Sequence, residues 1–172
     1  MNQCDFPRVF RCSGASPCIF QVQHSTSSIQ LEIAGTVQVA DKLVRFLRRS
    51  VIEEYTVSMD GVRQDFIIAQ RPEGAGELAV RLAVSGAKVE PAAGGAQLVL
   101  ENSGRKIAYS RLRVTDATGK GLTARMDVPD ALTPTLSHRM GEGERTSALL
   151  VLVNDADAVY PVRIDPTFSD AN

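Results

Sequence analysis

Short segments in which apolar and polar residues alternate recur along the chain from residue 51 to residue 128. The clearest is Leu78–Val84, where every second side chain, starting with Leu78, is a large aliphatic one. Alternation with this period gives a β-strand one face toward a core and one face toward water. Residues typical of turns separate the segments at short intervals. The pattern therefore predicts an all-β fold, a mainly antiparallel β-sandwich of about ten short strands.

The sharpest local signal is a hairpin between residues 55 and 68. The dipeptide Asp60-Gly61 joins two β-prone runs, and it tolerates the positive φ angles that a two-residue turn requires. A turn at this dipeptide would place Tyr55 opposite Phe66 and leave Asp65 on the wetter face. The hairpin would thus have one face with an aromatic pair and one polar face.

Other strands follow from the same reasoning. Residues 111–115 and 122–128 are predicted to form a second antiparallel pair, whereas proline and paired glycines predict a loop at residues 90–96. Continuous apolarity in Ala148–Val153 is typical of a central strand. Pro161 places the last strand, residues 159–164, at an edge or a bulge.

Two stretches interrupt the strand pattern. Residues 1–27 have no clear period and predict an irregular N-terminal segment or a peripheral strand, and residues 28–172 then form the β-sandwich domain. Within that domain, residues 129–146 form an inserted loop with no helix or strand period. Residues 29–39 suit an opening hairpin, and residues 41–50 suit a short helix or a strand, of which we favour the strand.

Charge and hydropathy disfavour several classes of partner. The 19 basic and 20 acidic residues nearly cancel, so no overall field would attract nucleic acid. A local basic set is more typical of a solvated face than of a phosphate site; its members are Lys42, Arg45, Arg48 and Arg49. No run of 18 apolar residues and no signal peptide occurs in the chain, so no membrane span is expected.

The residues that usually carry catalysis are sparse and scattered. The two histidines, His24 and His138, lie in poorly patterned segments, and Glu53 and Glu54 point to opposite faces of one strand. The three cysteines are spaced for neither a disulfide framework nor a metal site; they are Cys4, Cys12 and Cys18. We therefore expect no catalytic residues, no cofactor-binding residues and no enzymatic activity.

Calcium is the one ligand for which the sequence offers candidate residues. Asp155 and Asp157 flank a predicted turn, and their carboxylates with the turn carbonyls are the hard oxygen ligands that Ca²⁺ prefers. Aspartates are also common turn formers without any metal. Asp155 and Asp157 are therefore the candidate metal ligands, and no other cofactor is predicted.

Three blocks of sequence resemble an uncharacterised β-rich region found near the start of large secreted bacterial proteins, ahead of FG-GAP-type or other β repeats. The blocks are Glu54–Phe66, Gly104–Gly119 and Tyr160–Pro166. The resemblance implies an extracellular or cell-surface location, neighbouring β-repeat domains as partners, and no catalytic residues. Thr133–Glu144 resembles a translated intergenic repeat, which implies an insertion in that loop and a chain that is a gene fragment.

Together these observations predict a non-catalytic structural or interaction module of an exported multidomain bacterial protein. The alternative is a glycan- or calcium-binding accessory domain of a secreted enzyme, which would expose Tyr55, Phe66 and Tyr109 on a concave sheet face. A degraded fragment would instead show an apolar edge without a partner near Ile164 or at Leu149–Val153.

Overall fold

The computed structural model describes residues 20–24, 27–30, 36–48, 50–129 and 147–171. Every regular element in these ranges is a β-strand, and every strand pair is antiparallel, which confirms the predicted all-β sandwich. The strands are β1 (Phe20–His24), β2 (Ser27–Gln30), β3 (Thr36–Ala40), β4 (Leu43–Leu47), β5 (Val51–Ser58), β6 (Gly61–Ile68), β7 (Leu78–Val84), β8 (Ala87–Ala92), β9 (Gly95–Leu100), β10 (Lys106–Thr115), β11 (Ala124–Asp127), β12 (Ser147–Val153) and β13 (Val162–Asp170).

The strands form two sheets of unequal width. The larger has eight strands in the order β3-β4-β5-β6-β13-β10-β9-β8, and the smaller has five in the order β11-β12-β7-β1-β2. Neighbours in the larger sheet are mostly consecutive along the chain, but β13 lies between β6 and β10. β13 therefore joins a four-stranded antiparallel meander, β3 to β6, and a three-stranded one, β8 to β10, into one continuous sheet.

The core lies between the two sheets. In the smaller sheet, alternate side chains of β7 and β12 are buried, as their sequence pattern predicts; they are Leu78, Val80, Leu82, Leu149, Val151 and Val153. In the larger sheet, the buried apolar residues include Val51, Phe66, Ile68, Val114 and Ile164. Both segments at which a degraded fragment would show a bare apolar edge, around Ile164 and Leu149–Val153, are paired with strands on both sides.

Of the two positions predicted for the last strand, an edge or a bulge, the edge is wrong. β13 is an interior strand with β6 and β10 on its two sides, and Pro161 lies just before it, outside the ladder. A second proline, Pro166, lies within β13 opposite an irregularity of β10, where the register shifts between Ser110 and Arg113. Arg111, inside this bulge, has a positive φ of 57°. The bulge accommodates a residue that cannot donate to the ladder.

The β5–β6 hairpin forms, but its turn lies one residue earlier than predicted. Ser58 pairs with Gly61, so the turn residues are Met59 and Asp60, and Tyr55 faces Gln64 instead of Phe66. Gly61 is the first residue of β6, and β13 passes so close to it that only a glycine fits. A Cβ atom at Gly61 would lie 2.0 Å from the carbonyl oxygen of Phe168.

Two further predicted strand pairings and one predicted loop differ from the structure. Residues 124–127 pair with β12 in the smaller sheet. The two segments predicted to form a hairpin meet only near their turn, through the bridge between Thr115 and Gly121 and the hydrogen bond from the Leu122 N–H to the Val114 carbonyl. The predicted loop at residues 90–96 is instead the end of a β8–β9 hairpin. β2 pairs with β1 and β3 pairs with β4, so the predicted opening hairpin does not form. The preference for a strand at residues 41–50 is confirmed by β4.

Some predictions fall on residues outside the described ranges. The inserted loop is described only at residue 129, and Cys4, Cys12, Cys18 and His138 all lie outside the described parts of the chain. Within residues 1–27, β1 is a strand inside the smaller sheet. In the described residues, no helix is long and apolar enough to cross a membrane.

Candidate functional site

The two candidate calcium ligands lie in very different surroundings. Asp155 is completely buried, and its Oδ2 accepts hydrogen bonds from Arg71 Nε at 3.1 Å and from the Tyr160 hydroxyl at 2.6 Å. Arg71 also donates to the backbone carbonyl of Asp155. Asp157 is exposed to solvent. The turn therefore presents one carboxylate to protein donors and the other to water.

The electrostatics at Asp155 match a structural ion pair. Burial and the neighbouring Asp155 carboxylate both raise the pKa of Tyr160, which keeps its hydroxyl protonated as a donor. The hydrogen bond to Asp155 raises the pKa of Arg71. Arg71 and Tyr160 thus both donate hydrogen bonds to one oxygen of the Asp155 carboxylate, which calcium would have to bind.

The same turn is tied to a second loop by Asp116. Its Oδ1 accepts from the backbone N–H groups of Thr118 and Lys120 at 2.9 and 3.0 Å, and its Oδ2 accepts from the N–H of Val159 at 3.2 Å. These bonds, with that from the Thr118 hydroxyl first, lower the pKa of Asp116. The two loops are therefore held together by protein donors.

We expect calcium to leave the thermal stability unchanged. A ligand that binds the folded state raises the midpoint of unfolding, but the Asp155 carboxylate already has cationic and phenolic partners. Melting the chain in excess EDTA and in millimolar CaCl₂ tests this directly. A higher midpoint with calcium that disappears in Asp157→Asn would contradict the structural assignment and restore the predicted metal site.

A network that sequence reasoning missed lies on the inner face of the larger sheet. Glu53 is buried at 3% exposure, and its Oε1 accepts from the Tyr55 hydroxyl at 2.5 Å and from Gln64 Nε2 at 2.8 Å. Its Oε2 lies 3.2 Å from Arg48 Nη2. The Tyr109 hydroxyl donates to Gln64 Oε1 at 2.8 Å, which extends the network to β10. Side chains of three strands, β5, β6 and β10, are thereby joined to one another and to Arg48, which follows β4.

The two tyrosines of this network are held in their neutral form. Burial raises the pKa of Tyr55 and of Tyr109, and the charge of Glu53 raises both further. Neutral phenols act here as hydrogen-bond donors to the acceptors around them. The Glu53 carboxylate is consequently surrounded by three donor side chains and lies within a packed core.

The opposite face of the same strands carries a second set of ion pairs. Glu54 lies 2.6 Å from Arg45 Nη2 on the adjacent strand, and Asp65 Oδ2 lies 3.0 Å from Arg63 Nε. Arg163 on β13 reaches both acids, at 3.4 Å from Glu54 and 3.3 Å from Asp65. The arginine side chains are partly exposed, whereas Asp65 is fully buried beneath them. The expected wet position of Asp65 is therefore wrong.

Asp165 continues this set toward β10. It lies 3.6 Å from Arg63 and pairs in register with Arg113. Burial raises the pKa of Asp165, and the nearby Asp65 raises it further against the opposing effect of the arginines. The two aspartates therefore differ. Asp65 is the more deeply buried, whereas the raised pKa of Asp165 shows that its surroundings disfavour the charged form of its carboxyl group.

Neutralising these two aspartates is expected to have opposite results. Asp65→Asn should lower the free energy of unfolding at pH 7 by about 1 to 3 kcal/mol, because two arginines lose a buried partner. Asp165→Asn should leave it unchanged or raise it by up to about 1 kcal/mol, since solvent screens part of the repulsion. Urea unfolding of both variants checks this, and an equal loss in both would contradict the assignment.

The pH dependence of Asp165→Asn provides a further check. A carboxyl whose pKa is raised in the folded state contributes stability below its unfolded pKa, and loses that contribution as the pH rises through its folded value. The free energy of unfolding of wild type should therefore rise relative to that of Asp165→Asn as the pH falls toward about 4. A difference that does not change with pH would contradict the raised pKa.

The aromatic residues that a glycan platform would expose are buried. Tyr55, Phe66 and Tyr109 are 7%, 1% and 0% exposed. Tyr109 packs on Phe168 with ring centroids 4.3 Å apart, and Tyr55 meets Phe46 edge to face. These rings contribute to the core and offer no flat surface to a sugar.

The predicted basic set does not form one patch. Arg45 and Arg48 lie on opposite faces of the larger sheet, where they pair with Glu54 and Glu53 respectively. Arg49 lies outside the described residues. Glu53 and Glu54, which follow this set in the sequence, thus form ion pairs with its two described arginines.

Chemically, the polar side chains of the larger sheet bind one another. The carboxylates of Glu53, Glu54 and Asp65 each have a cation within 3.3 Å, and in the described residues no three His, Cys, Asp or Glu side chains are placed to hold a metal ion.

Comparisons with protein-family models, with curated proteins and with solved structures find no match.

Proposed function

We propose that this chain is a non-catalytic structural or interaction module of an exported multidomain bacterial protein. The proposal combines the three sequence blocks that resemble such a region with the places those blocks occupy in the sheet. Glu54–Phe66 covers most of β5 and β6, Gly104–Gly119 contains β10, and Tyr160–Pro166 begins β13. These strands are neighbours in the order β5-β6-β13-β10.

The observation that carries the proposal is what the polar residues of these blocks contact. Tyr55 and Tyr109 donate hydrogen bonds inside the core, and Asp65 pairs with arginines of β6 and β13. A general acid or base must reach a substrate to transfer a proton, whereas these groups reach each other. These polar residues of the three blocks thus contact one another within the fold, which supports a module without catalysis.

An activity screen tests the non-catalytic part. Wild type and the double variant Glu53→Gln/Glu54→Gln are incubated with chromogenic glycoside, ester, phosphate and peptide substrates. Both should give the rate of buffer alone. A wild-type rate above buffer that is lost in the variant, with folding verified by circular dichroism, would overturn the proposal.

The exported, multidomain part is tested on the gene. Sequencing the genomic DNA on both sides of the coding region should show a secretion leader upstream and β-repeat coding sequence downstream. Flanking sequence that encodes neither in any frame would contradict this part. The activity result is unaffected by that outcome, so the two parts fail separately.

A further inference from the structure

The edge strand β3 has an unusual surface for a strand at the end of a sheet. All five of its residues are exposed, and Val37 and Val39 are 53% and 72% exposed. Among the described residues only β4 pairs with it, so no strand of the described parts of the chain satisfies the backbone N–H and C=O groups along its other side.

Two other edge strands of the molecule carry features that discourage pairing. At the far edge of the same sheet, β8 contains the Lys88–Glu90 ion pair and Pro91, which has no N–H to donate. In the smaller sheet, the edge strand β11 has only four residues, of which Arg125 and Asp127 are charged. By contrast, β3 has the sequence TVQVA, with neither charge nor proline. Its composition is that of a strand that accepts a partner.

We propose that β3 pairs antiparallel with β3 of a second copy of this chain, about a twofold axis at Gln38. This register sets Val37 of one copy opposite Val39 of the other, and Thr36 opposite Ala40. The valines then meet each other, and no like charges face each other across the junction. The strand is therefore complementary to itself, as a symmetric dimer requires.

The neighbouring strand supports the same pairing. Val37 is in register with Phe46 and Val39 with Val44, so the two exposed valines extend the apolar inner face of the larger sheet. Phe46 in turn packs against Tyr55 of the core. Pairing two copies of β3 would cover the outer side of this valine row and continue one sheet into the next.

The protected far edge limits the growth of this sheet to two copies. Since β8 carries charges and a proline, the sheet of a dimer cannot grow at its outer ends, and the twofold contact closes on itself. Five residues from each copy cover much less than the roughly 1,200 Å² of a standard interface. We therefore expect a reversible dimer with a dissociation constant in the micromolar range or weaker.

Sedimentation velocity over a wide concentration range tests the dimer. Wild type should shift from the mass of a monomer to that of a dimer as its concentration rises. Val39→Lys, which adds a charge at an exposed edge position, should stay monomeric with an unchanged melting midpoint. Met59→Lys is the control, because Met59 is fully exposed at a hairpin tip remote in sequence from β3, and it should dimerise like wild type.

Two results would overturn the proposal. Wild type that remains a monomer at millimolar concentration would reject a second copy as the partner of β3. Equal self-association of Val39→Lys and wild type would locate the contact elsewhere on the chain.

Cysteine cross-linking tests the register. In a background with Cys4, Cys12 and Cys18 replaced by serine, Gln38→Cys and Thr36→Cys are each oxidised with diamide. Residues opposite each other in an antiparallel pair have Cα atoms about 4.5 to 5.5 Å apart, within the range of a disulfide. The two copies of residue 36 would be about 13 Å apart in the proposed register. Gln38→Cys should cross-link and Thr36→Cys should not, and equal yields would reject the register.

Discussion

Glu53→Ala is expected to lower the free energy of unfolding by about 3 to 5 kcal/mol, the loss typical of removing one partner from a buried ion pair. Glu53 is 3% exposed and accepts hydrogen bonds from Tyr55, Gln64 and Arg48. The alanine variant removes the charged acceptor that these three donors share in the core. Urea unfolding followed by far-UV circular dichroism measures the change. Tryptophan fluorescence does not serve here, because the chain contains no tryptophan.

Two companion variants separate the charge from the hydrogen bonds. Glu53→Gln keeps an acceptor oxygen and the shape of the side chain, so it should lose less than Glu53→Ala. A double-mutant cycle with Arg48→Met should give a coupling of about 1 to 3 kcal/mol between Arg48 and Glu53. A Glu53→Ala variant as stable as wild type would contradict the role of this carboxylate as the centre of the inner network.

Gly61→Ala is expected to lower the free energy of unfolding by about 2 to 6 kcal/mol, from two sources. Gly61 has a φ of 125°, a conformation that L residues rarely adopt, which costs about 1 to 3 kcal/mol. Its Cβ would also lie 2.0 Å from the Phe168 carbonyl oxygen, so β6 and β13 would have to separate locally. Overpacking of this kind costs a further 1 to 3 kcal/mol, roughly.

Gly119→Ala is the matched control for this substitution. Gly119 also has a positive φ, 84°, but a Cβ there would meet nothing within 4 Å. Only the strained backbone conformation should therefore destabilise Gly119→Ala. Urea unfolding should give it a smaller loss of unfolding free energy than Gly61→Ala. Equal losses in the two variants would show that β13 does not approach β6 at Gly61.

The local elements of this fold could be predicted from the sequence, but the partners of several strands could not. Alternation in Leu78–Val84 and continuous apolarity in Ala148–Val153 identify strands, because both patterns depend only on residues near in sequence. The position of β13 depends on pairing with segments about 50 and 100 residues earlier, which no local pattern encodes. Pro161 suggested an edge, whereas its position just before the strand permits an interior one.

The inner and outer polar networks were missed for the same reason. A shift of the turn from Asp60-Gly61 to Met59-Asp60 changes the partner of Tyr55 from Phe66 to Gln64. The signal that could have found the shift is Gly61 itself, since a glycine within a strand often marks the close approach of another backbone. Burial of Asp65 was not predictable locally, because Arg163 comes from the last strand.

The placement of β13 between β6 and β10 is the feature on which the structural role of the polar residues depends most. Nuclear Overhauser contacts between backbone amides of an isotope-labelled chain measure it directly. Arg163 should show cross-strand contacts on both sides, to Ile67 in β6 and to Thr115 in β10. Contacts on one side only, with residues 111–115 paired along their length to residues 122–128, would contradict this order of strands and the proposal that these polar residues serve the fold.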